Sequence, residues 1–233
     1  MLRIDDFLWY IFMNNNANDN SLNTYTTTIN GATLDTNADG VSNMAYSFDG
    51  VNDEITIGSS AYDALIDAVN AGVVGIHISM YNDKTANNND LIFSASPNPT
   101  STSFIAIGEN DGTNDFVYYA LGNGSLSNEI NKNPYTIITG VWKNSIYETT
   151  KATYYNGRIN VNGSDLALTK SSSNQLVSKS VNANRKISIG WRADQPVNRS
   201  FKGKMNNAFA IKKVINATEQ SYINKFGNMK RIA

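Results

Sequence analysis

Along most of the chain, apolar and polar residues alternate with a period of two over short runs, and clusters of Asn, Asp, Gly and Ser separate the runs. A strand sends successive side chains to opposite faces, so this pattern predicts a succession of short β-strands. The expected strands cover residues 8–13, 45–48, 55–57, 73–81, 91–95, 104–108, 116–121, 135–143, 152–155, 158–161, 187–191 and 205–212. Roughly a dozen strands imply two stacked sheets. Asn156-Gly157, between KATYY and RINV, reads as a two-residue hairpin turn, because a type I′ turn needs positive φ at both positions; Asn162-Gly163 follows as a second turn. Runs such as YTIITGVW and DFVYYAL carry apolar residues on both parities. They fit central strands covered on both faces, or strands that offer one aromatic face to a ligand. Two segments have helical spacing: Ala61, Leu65, Ala68 and Val69 ahead of Gly72, and Tyr222, Ile223 and Phe226 ahead of Gly227, with Thr218 as the cap.

In AYSFDGVNDEITI, residues 45–57, the alternation slips by one residue. Tyr46 and Phe48 share one parity, whereas Val51, Ile55 and Ile57 share the other. A slip at Asp49-Gly50 marks a turn or bulge, and Asp-Gly tolerates the positive φ that a tight turn requires. Asp49, Asp53 and Glu54 are therefore expected to serve turn and strand geometry rather than a ligand.

Composition narrows the function classes. A chain of 233 residues, 41% hydrophobic and 10% aromatic, has enough apolar surface for a substantial core, and a single domain over residues 1–233 is the expectation. The net charge of −1 supplies no general attraction for phosphate backbones, although Lys202, Lys204, Lys212 and Lys213 could gather locally; nucleic acid is not an expected partner. With no cysteine there are no disulfides, thiolate metal sites or cysteine nucleophiles. A single histidine, His77, makes most triads and imidazole metal sites hard to build. The apolar run at residues 7–13 is too short to span a bilayer and lacks a cleavage site. The 35 asparagines suit the turns of a β-rich chain, and in such a composition the four N-x-S/T sequons at Asn123, Asn162, Asn198 and Asn216 are attributed to chance.

Taken in order, YIFMNNNANDNSLN, INGATL, AYSFDGVNDEITI, GIHISMYND, GVWKN, YYNGRIN, KISIGW and FKGKMNNAFAI, closed by INATEQSYINKF, resemble the LamG-like jelly roll of the concanavalin A-like lectin and glucanase superfamily. The resemblance spans nearly the whole chain. It implies an all-β, concanavalin A-like jelly-roll β-sandwich of two antiparallel sheets with one or two short helices. It also implies carbohydrate or glycoprotein adhesion. Two departures stand out: Asn206-Asn207 replaces the acidic residue of the family's KIDEV pattern, and the insertion SSAYDALIDAVNAG is longer and more helical than the usual connection.

The superfamily's glucanases carry same-face carboxylates in an E-x-D-x-E strand, which this chain lacks, so no enzymatic activity is expected. ENDGTND, residues 109–115, reads as an acidic loop and is the best calcium candidate through Glu109, Asp111 and Asp115. Residues 35–40 and 15–21 are alternatives, and none of the three matches an EF-hand. Of the aromatics Tyr118, Tyr119, Tyr154, Tyr155 and Trp191, which could stack on sugar rings or fill the core, Tyr119 and Trp191 adjoin polar loops. They form the candidate carbohydrate site with Asn110, Asp111 and Asp194. His77 falls on the parity opposite to Val74, Ile76, Ile78 and Met80, so it is expected at the surface or rim. The combined expectation is a non-enzymatic, lectin-like adhesion module that binds a surface glycan or glycoprotein. It would be displayed on a bacteriophage virion as a capsid decoration, head fibre or tail adhesin, alongside other virion proteins. Residues 1–7 are a candidate anchor, and a trimer is one form such display takes. A purely structural virion subunit and a bacterial cell-surface or extracellular carbohydrate-binding protein are the alternatives.

Overall fold

The computed structural model describes residues 2–71, 73–83, 89–96, 105–110, 116–121, 131–134, 140–150, 153–166, 169–170, 182–191 and 200–226. In chain order the strands are β1 (Phe7–Phe12), β2 (Thr27–Asn30), β3 (Thr33–Asp35), β4 (Ala45–Asp49), β5 (Glu54–Ile57), β6 (Val73–Asn82), β7 (Asn89–Ser96) and β8 (Ile105–Asn110). There follow β9 (Phe116–Leu121), β10 (Asn131–Pro134), β11 (Trp142–Thr150), β12 (Thr153–Val161), β13 (Ser164–Asp165), β14 (Thr169–Lys170), β15 (Lys186–Ile189) and β16 (Lys202–Ile211). Helix α1 (Ser59–Ala71) lies between β5 and β6, and α2 (Ala217–Phe226) follows β16.

These strands form two antiparallel sheets, a jelly-roll β-sandwich. The first sheet runs β13-β12-β11-β6-β16-β4-β3, and the second β14-β10-β9-β8-β7-β15-β5-β2. β16 is long enough to take two partners on one side: Lys202 to Met205 pair with β4, and Asn207 to Ile211 pair with β1. The β16 register against β6 shifts between Met205 and Asn207, at the Asn206-Asn207 pair already noted as a departure. The tryptophan strand extends from Trp142 to Thr150, well beyond the expected end at residue 143. Residues 135–139 of that expected strand lie outside the described residues.

One expected hairpin is corrected. β12 continues through Asn156-Gly157, with Glu148 opposite Arg158 and Thr150 opposite Thr153. The second expected turn, Asn162-Gly163, does form: φ is +50° and +92°, and Val161 pairs with Ser164. Both dipeptides satisfy the local turn chemistry, so only the long-range pairing with β11 separates them.

The core lies between the sheets. Trp9 of β1 stacks on Phe93 of β7 across the sandwich, with centroids 5.9 Å apart and 16° between the planes. Alternation selects the inward residues: Val74, Ile76, Ile78 and Met80 of β6 join Ile105 and Ile107 of β8 in one buried apolar cluster. Helix α1 turns Ala61, Tyr62, Leu65, Ile66, Ala68 and Val69 into this core. It packs on β1 and β6 of one sheet and β15 of the other, and so closes an end of the sandwich. Arg185 fixes it from outside through paired bonds to Asp63, 2.7 and 2.6 Å long.

The outer face of the first sheet carries a second apolar layer, made by Phe7, Ile146, Phe209, Ile211, Ile215 and Ile223. This layer overturns the expectation for His77. Its side chain does point away from the main core, but it is fully buried beside Phe209, 4.7 Å between ring centroids, and its Nε2 lies 2.9 Å from Asn207 Oδ1. Alternation sets the side of β6 on which His77 lies, whereas the layer that covers that side comes from residues distant in sequence.

Helix α2 is held to that layer by polar contacts. Arg158 donates to Glu148 Oε2, Gln220 Oε1 and the Ile215 carbonyl, each at 2.8 Å. Glu148 Oε1 accepts the Ile215 N–H. Burial pushes the Glu148 carboxyl above its ordinary pKa, against the opposing pull of these donors. The helix cap is Asn216, not Thr218: Asn216 Oδ1 accepts the Glu219 N–H at 2.9 Å, and Glu219 Oε2 accepts the Asn216 N–H at 3.2 Å. This is a capping box, and the Asn216→Ala variant is expected to lose about 1 kcal/mol of stability in denaturant unfolding. A loss below about 0.3 kcal/mol would show that tertiary contacts alone hold the helix start.

The N-terminal candidate anchor is tied to the sandwich in its last residues. The Lys212 N–H donates to the Asp6 carbonyl at 2.9 Å, and Phe7 packs edge-on against Phe209.

Candidate functional site

The turn after β4 is built from its own carboxylates. Asp49 Oδ1 accepts the Val51 N–H at 2.7 Å, Asp53 Oδ2 accepts the Asp49 N–H at 2.8 Å, and Gly50 adopts φ +82°. Two other oxygen-rich loops behave alike. Asp19 accepts the N–H groups of Tyr10, Ser21 and Tyr25, and Asn37 Oδ1 accepts those of Asp39 and Val41. Asp35 pairs with Lys204 at 2.9 Å. These oxygens hold backbone and cations of the fold itself. Among the described residues no group of three or more His, Asp or Glu is placed to hold a metal ion.

The acidic segment at residues 109–115 requires a correction. Glu109 and Asn110 are the last residues of β8, paired with Val117 and Phe116, rather than loop. Glu109 points inward between the sheets, where Lys143 Nζ lies 2.6 Å from Oε1 and 2.7 Å from Oε2, and Asn82 Nδ2 donates to Oε2 at 3.0 Å. Both members of the ion pair are buried. Its carboxylate is thus committed to a protein cation. The other calcium candidates, Asp111 and Asp115, lie outside the described residues, as does Asp194.

Trp191 has a better-defined setting. Inward positions of β15 are Ile187 and Ile189, so Lys186 and Ser188 project from the outer face of the second sheet, next to Glu54 of β5. Lys186 Nζ donates to both Glu54 oxygens at 2.9 Å; Ser188 Oγ and Asn30 Nδ2 complete the carboxylate at 3.0 and 3.1 Å. Immediately after β15, Gly190 adopts φ +90°, in a place where a Cβ would sit 2.4 Å from the Phe48 ring. This bend brings the half-buried Trp191 ring within 5.8 Å of the Lys186 ammonium. Ser94 Oγ donates to the Trp191 carbonyl at 3.3 Å. An aromatic ring therefore stands beside fixed donors and acceptors whose own hydrogen bonds preset their positions.

Tyr119 belongs to β9 in the same sheet, opposite Ile107 of β8 and Asn131 of β10. Asn110 ends β8 in that sheet. Tyr119 and Asn110 thus lie in the second sheet, which Trp191 follows directly after β15. The residues missed from sequence are Glu54, Lys186 and Ser188. The signal was present in EITI and KISI, whose isoleucines define one face and leave Glu54, Lys186 and Ser188 on the other.

No protein-family model matches the chain, and no curated protein matches it in sequence. Solved structures match its fold. The binding domain of botulinum neurotoxin serotype D/C aligns with a TM-score of 0.70 at 12% identity, over 95% of this chain and 52% of the toxin domain. Domain 4 of AbnA, a GH43 extracellular arabinanase from Geobacillus stearothermophilus solved with arabinotriose, aligns at 0.63 and 14% identity, over 94% of this chain and 98% of that domain. A Trypanosoma rangeli sialidase in complex with sialic acid aligns at 0.64 and 10% identity, over 97% of this chain. The chain spans about a third of that sialidase, 33% of its length. At these identities the likeness defines the fold class, a β-sandwich.

Proposed function

We propose that this protein is a carbohydrate-recognition module without catalytic activity, and that it binds a surface glycan through the Trp191 face of its second sheet. The observation that carries the reading is the half-buried Trp191 ring set beside the prebonded Lys186, Glu54, Ser188 and Asn30 cluster. A sugar presents a C–H face to an aromatic ring and hydroxyls to neighbouring polar groups; here Trp191 supplies the ring, and the accessible Lys186 and Asn30, held in place by the buried Glu54 and Ser188, supply the polar contacts. The fold likeness to an arabinanase domain solved with arabinotriose and to a toxin binding domain supports the same class. Glu54 and Glu109 are each held by a lysine, an arrangement unlike the free, facing carboxylate pair of a glycosidase.

The finer reading places the module on a virion surface as a capsid decoration, head fibre or tail adhesin. The resemblance of its ordered motifs to LamG-like jelly rolls and its cysteine-free composition support this. Finding the protein only in host cell-surface fractions, and not in purified particles, would refute that placement.

Recognition itself is tested with the purified full chain on an array of bacterial surface polysaccharides and simple glycans, with and without calcium. Saturable binding to one glycan class is expected, with a loss of about tenfold or more in Trp191→Ala. No saturable binding across the array would overturn the proposal.

A further inference from the structure

The outer face of the first sheet carries its own aromatic row. Trp142 of β11, Tyr81 of β6 and Lys204 of β16 are direct cross-strand partners at one level of the sheet. The Trp142 and Tyr81 centroids are 5.8 Å apart, tilted by 53°, and Lys204 Nζ lies 5.9 Å from the Tyr81 ring. Both rings are half-buried, whereas Trp9 is wholly enclosed. Covering an aromatic ring is favourable, so two adjacent rings left part-open on a strand level form surface that a ligand would stabilise by covering.

Polar groups border the rings. Lys204 donates to Asp35 at 2.9 Å, with both side chains about 30% accessible (31% and 28%). Strands lie about 4.8 Å apart, so Trp142 to Lys204 spans about 10 Å, the reach of a short oligosaccharide rather than a single ring.

We infer that the Trp142, Tyr81 and Lys204 row is a second carbohydrate site, which stacks a neutral oligosaccharide on its rings and takes hydroxyls at Lys204 and Asp35. The charge balance selects the ligand: Lys204 and Asp35 cancel within the row, so an acidic sugar would have to break their pair to find a cation. A carboxylate and an ammonium in contact suit a hydroxyl, which can donate to one and accept from the other. This inference rests on the carbohydrate reading above but not on the Trp191 site, because the two rows occupy outer faces of different sheets.

The chain's three tryptophans make a built-in assay, since each gives one indole N–H signal in a heteronuclear NMR spectrum. The labelled full chain is titrated with neutral arabino-, xylo-, cello- and malto-oligosaccharides, and separately with a sialylated trisaccharide. The expected result is a saturable shift of the Trp142 signal with at least one neutral series, weakened about tenfold in Tyr81→Ala and unchanged in Trp191→Ala. Lys204→Met, which keeps both rings, is expected to weaken it several-fold, and an unmoved Trp9 signal reports an intact core in every variant. A shift of Trp191 alone overturns the second site and leaves the proposed function standing. Response of Trp142 to the sialylated probe alone overturns the neutral assignment. Silence of both signals for every saccharide overturns the second site and the Trp191 reading together.

Discussion

Lys143→Met is expected to destabilise the protein by about 3–5 kcal/mol, because it leaves the Glu109 carboxylate buried without its cation. The ammonium lies 2.6 Å from Glu109 Oε1, and both side chains are almost inaccessible, 1% and 2%. Neither group can recover hydration unless the sheets part. Asn82 supplies one further donor, at 3.0 Å, which cannot replace a full charge. The pair joins β11 of one sheet to β8 of the other, so its loss falls on the packing between sheets. The double variant Glu109→Leu/Lys143→Met removes both charges and is expected to recover most of the loss, since apolar replacements of buried pairs are commonly neutral or stabilising. Urea unfolding of the three proteins measures both effects. A loss below about 1 kcal/mol in the single variant would mean that water reaches the pair, as it does in exposed ion pairs.

His77 is expected to make the protein acid-sensitive by about 3 kcal/mol between pH 7 and pH 4. Burial pushes its pKa down to about 4 from the ordinary 6.5, against the raising effect of its hydrogen bond with Asn207. The unfolded chain therefore takes up the proton first as pH falls. Between the two values the unfolded state binds more protons than the folded one, so stability rises with pH across this window and falls on acidification. Below about pH 4 the folded ring also protonates and the contribution levels off. His77→Leu fills the site beside Phe209 and Ile146 with an apolar group that does not titrate. Its unfolding free energy should vary less between pH 6.5 and 4 than that of the parent, and the difference between the two profiles isolates the histidine from the carboxylates. Parallel profiles would show that protonated His77 is accommodated in the folded state.

Much of the fold was legible because strand alternation is a local property. The inward series Val74, Ile76, Ile78, Met80 and the slip at Asp49-Gly50 needed no knowledge of the rest of the chain. The helix around Leu65 was equally plain, because its apolar face repeats at helical spacing and cannot be satisfied in a strand. Short edge strands were missed: β2 and β3 read as polar turn-like sequence because one or both faces meet solvent. The hairpin at Asn156-Gly157 was misplaced for a different reason, since turn propensity reports what a dipeptide tolerates and not where its neighbours pair.

The candidate site divides along the same line. Trp191 was found as an aromatic beside polar residues, but its setting depends on Glu54, which is 132 positions from Lys186 in sequence. Glu109 looked like part of an acidic loop because Asp111, Gly112 and Asp115 follow it; its partner Lys143 is 34 positions away and on the other sheet. The Trp142 and Tyr81 row escaped notice because each ring sits in a separate strand among residues that read as ordinary sandwich filling.

By itself the sequence determined the two-sheet architecture, the inward residues of the principal strands and the turn role of Asp49 and Asp53. All of these follow from periodicity and from backbone preferences within a few residues. Only the tertiary structure decided which outward faces are covered, which carboxylates meet a lysine and which aromatic rings stand part-open. Those outcomes depend on strands and helices brought together from distant parts of the chain: α2 and the second apolar layer enclose His77, β11 brings Lys143 to Glu109, and the bend at Gly190 sets Trp191 beside Lys186. Alternation specifies the side of a strand on which a residue lies, and packing specifies what occupies that side.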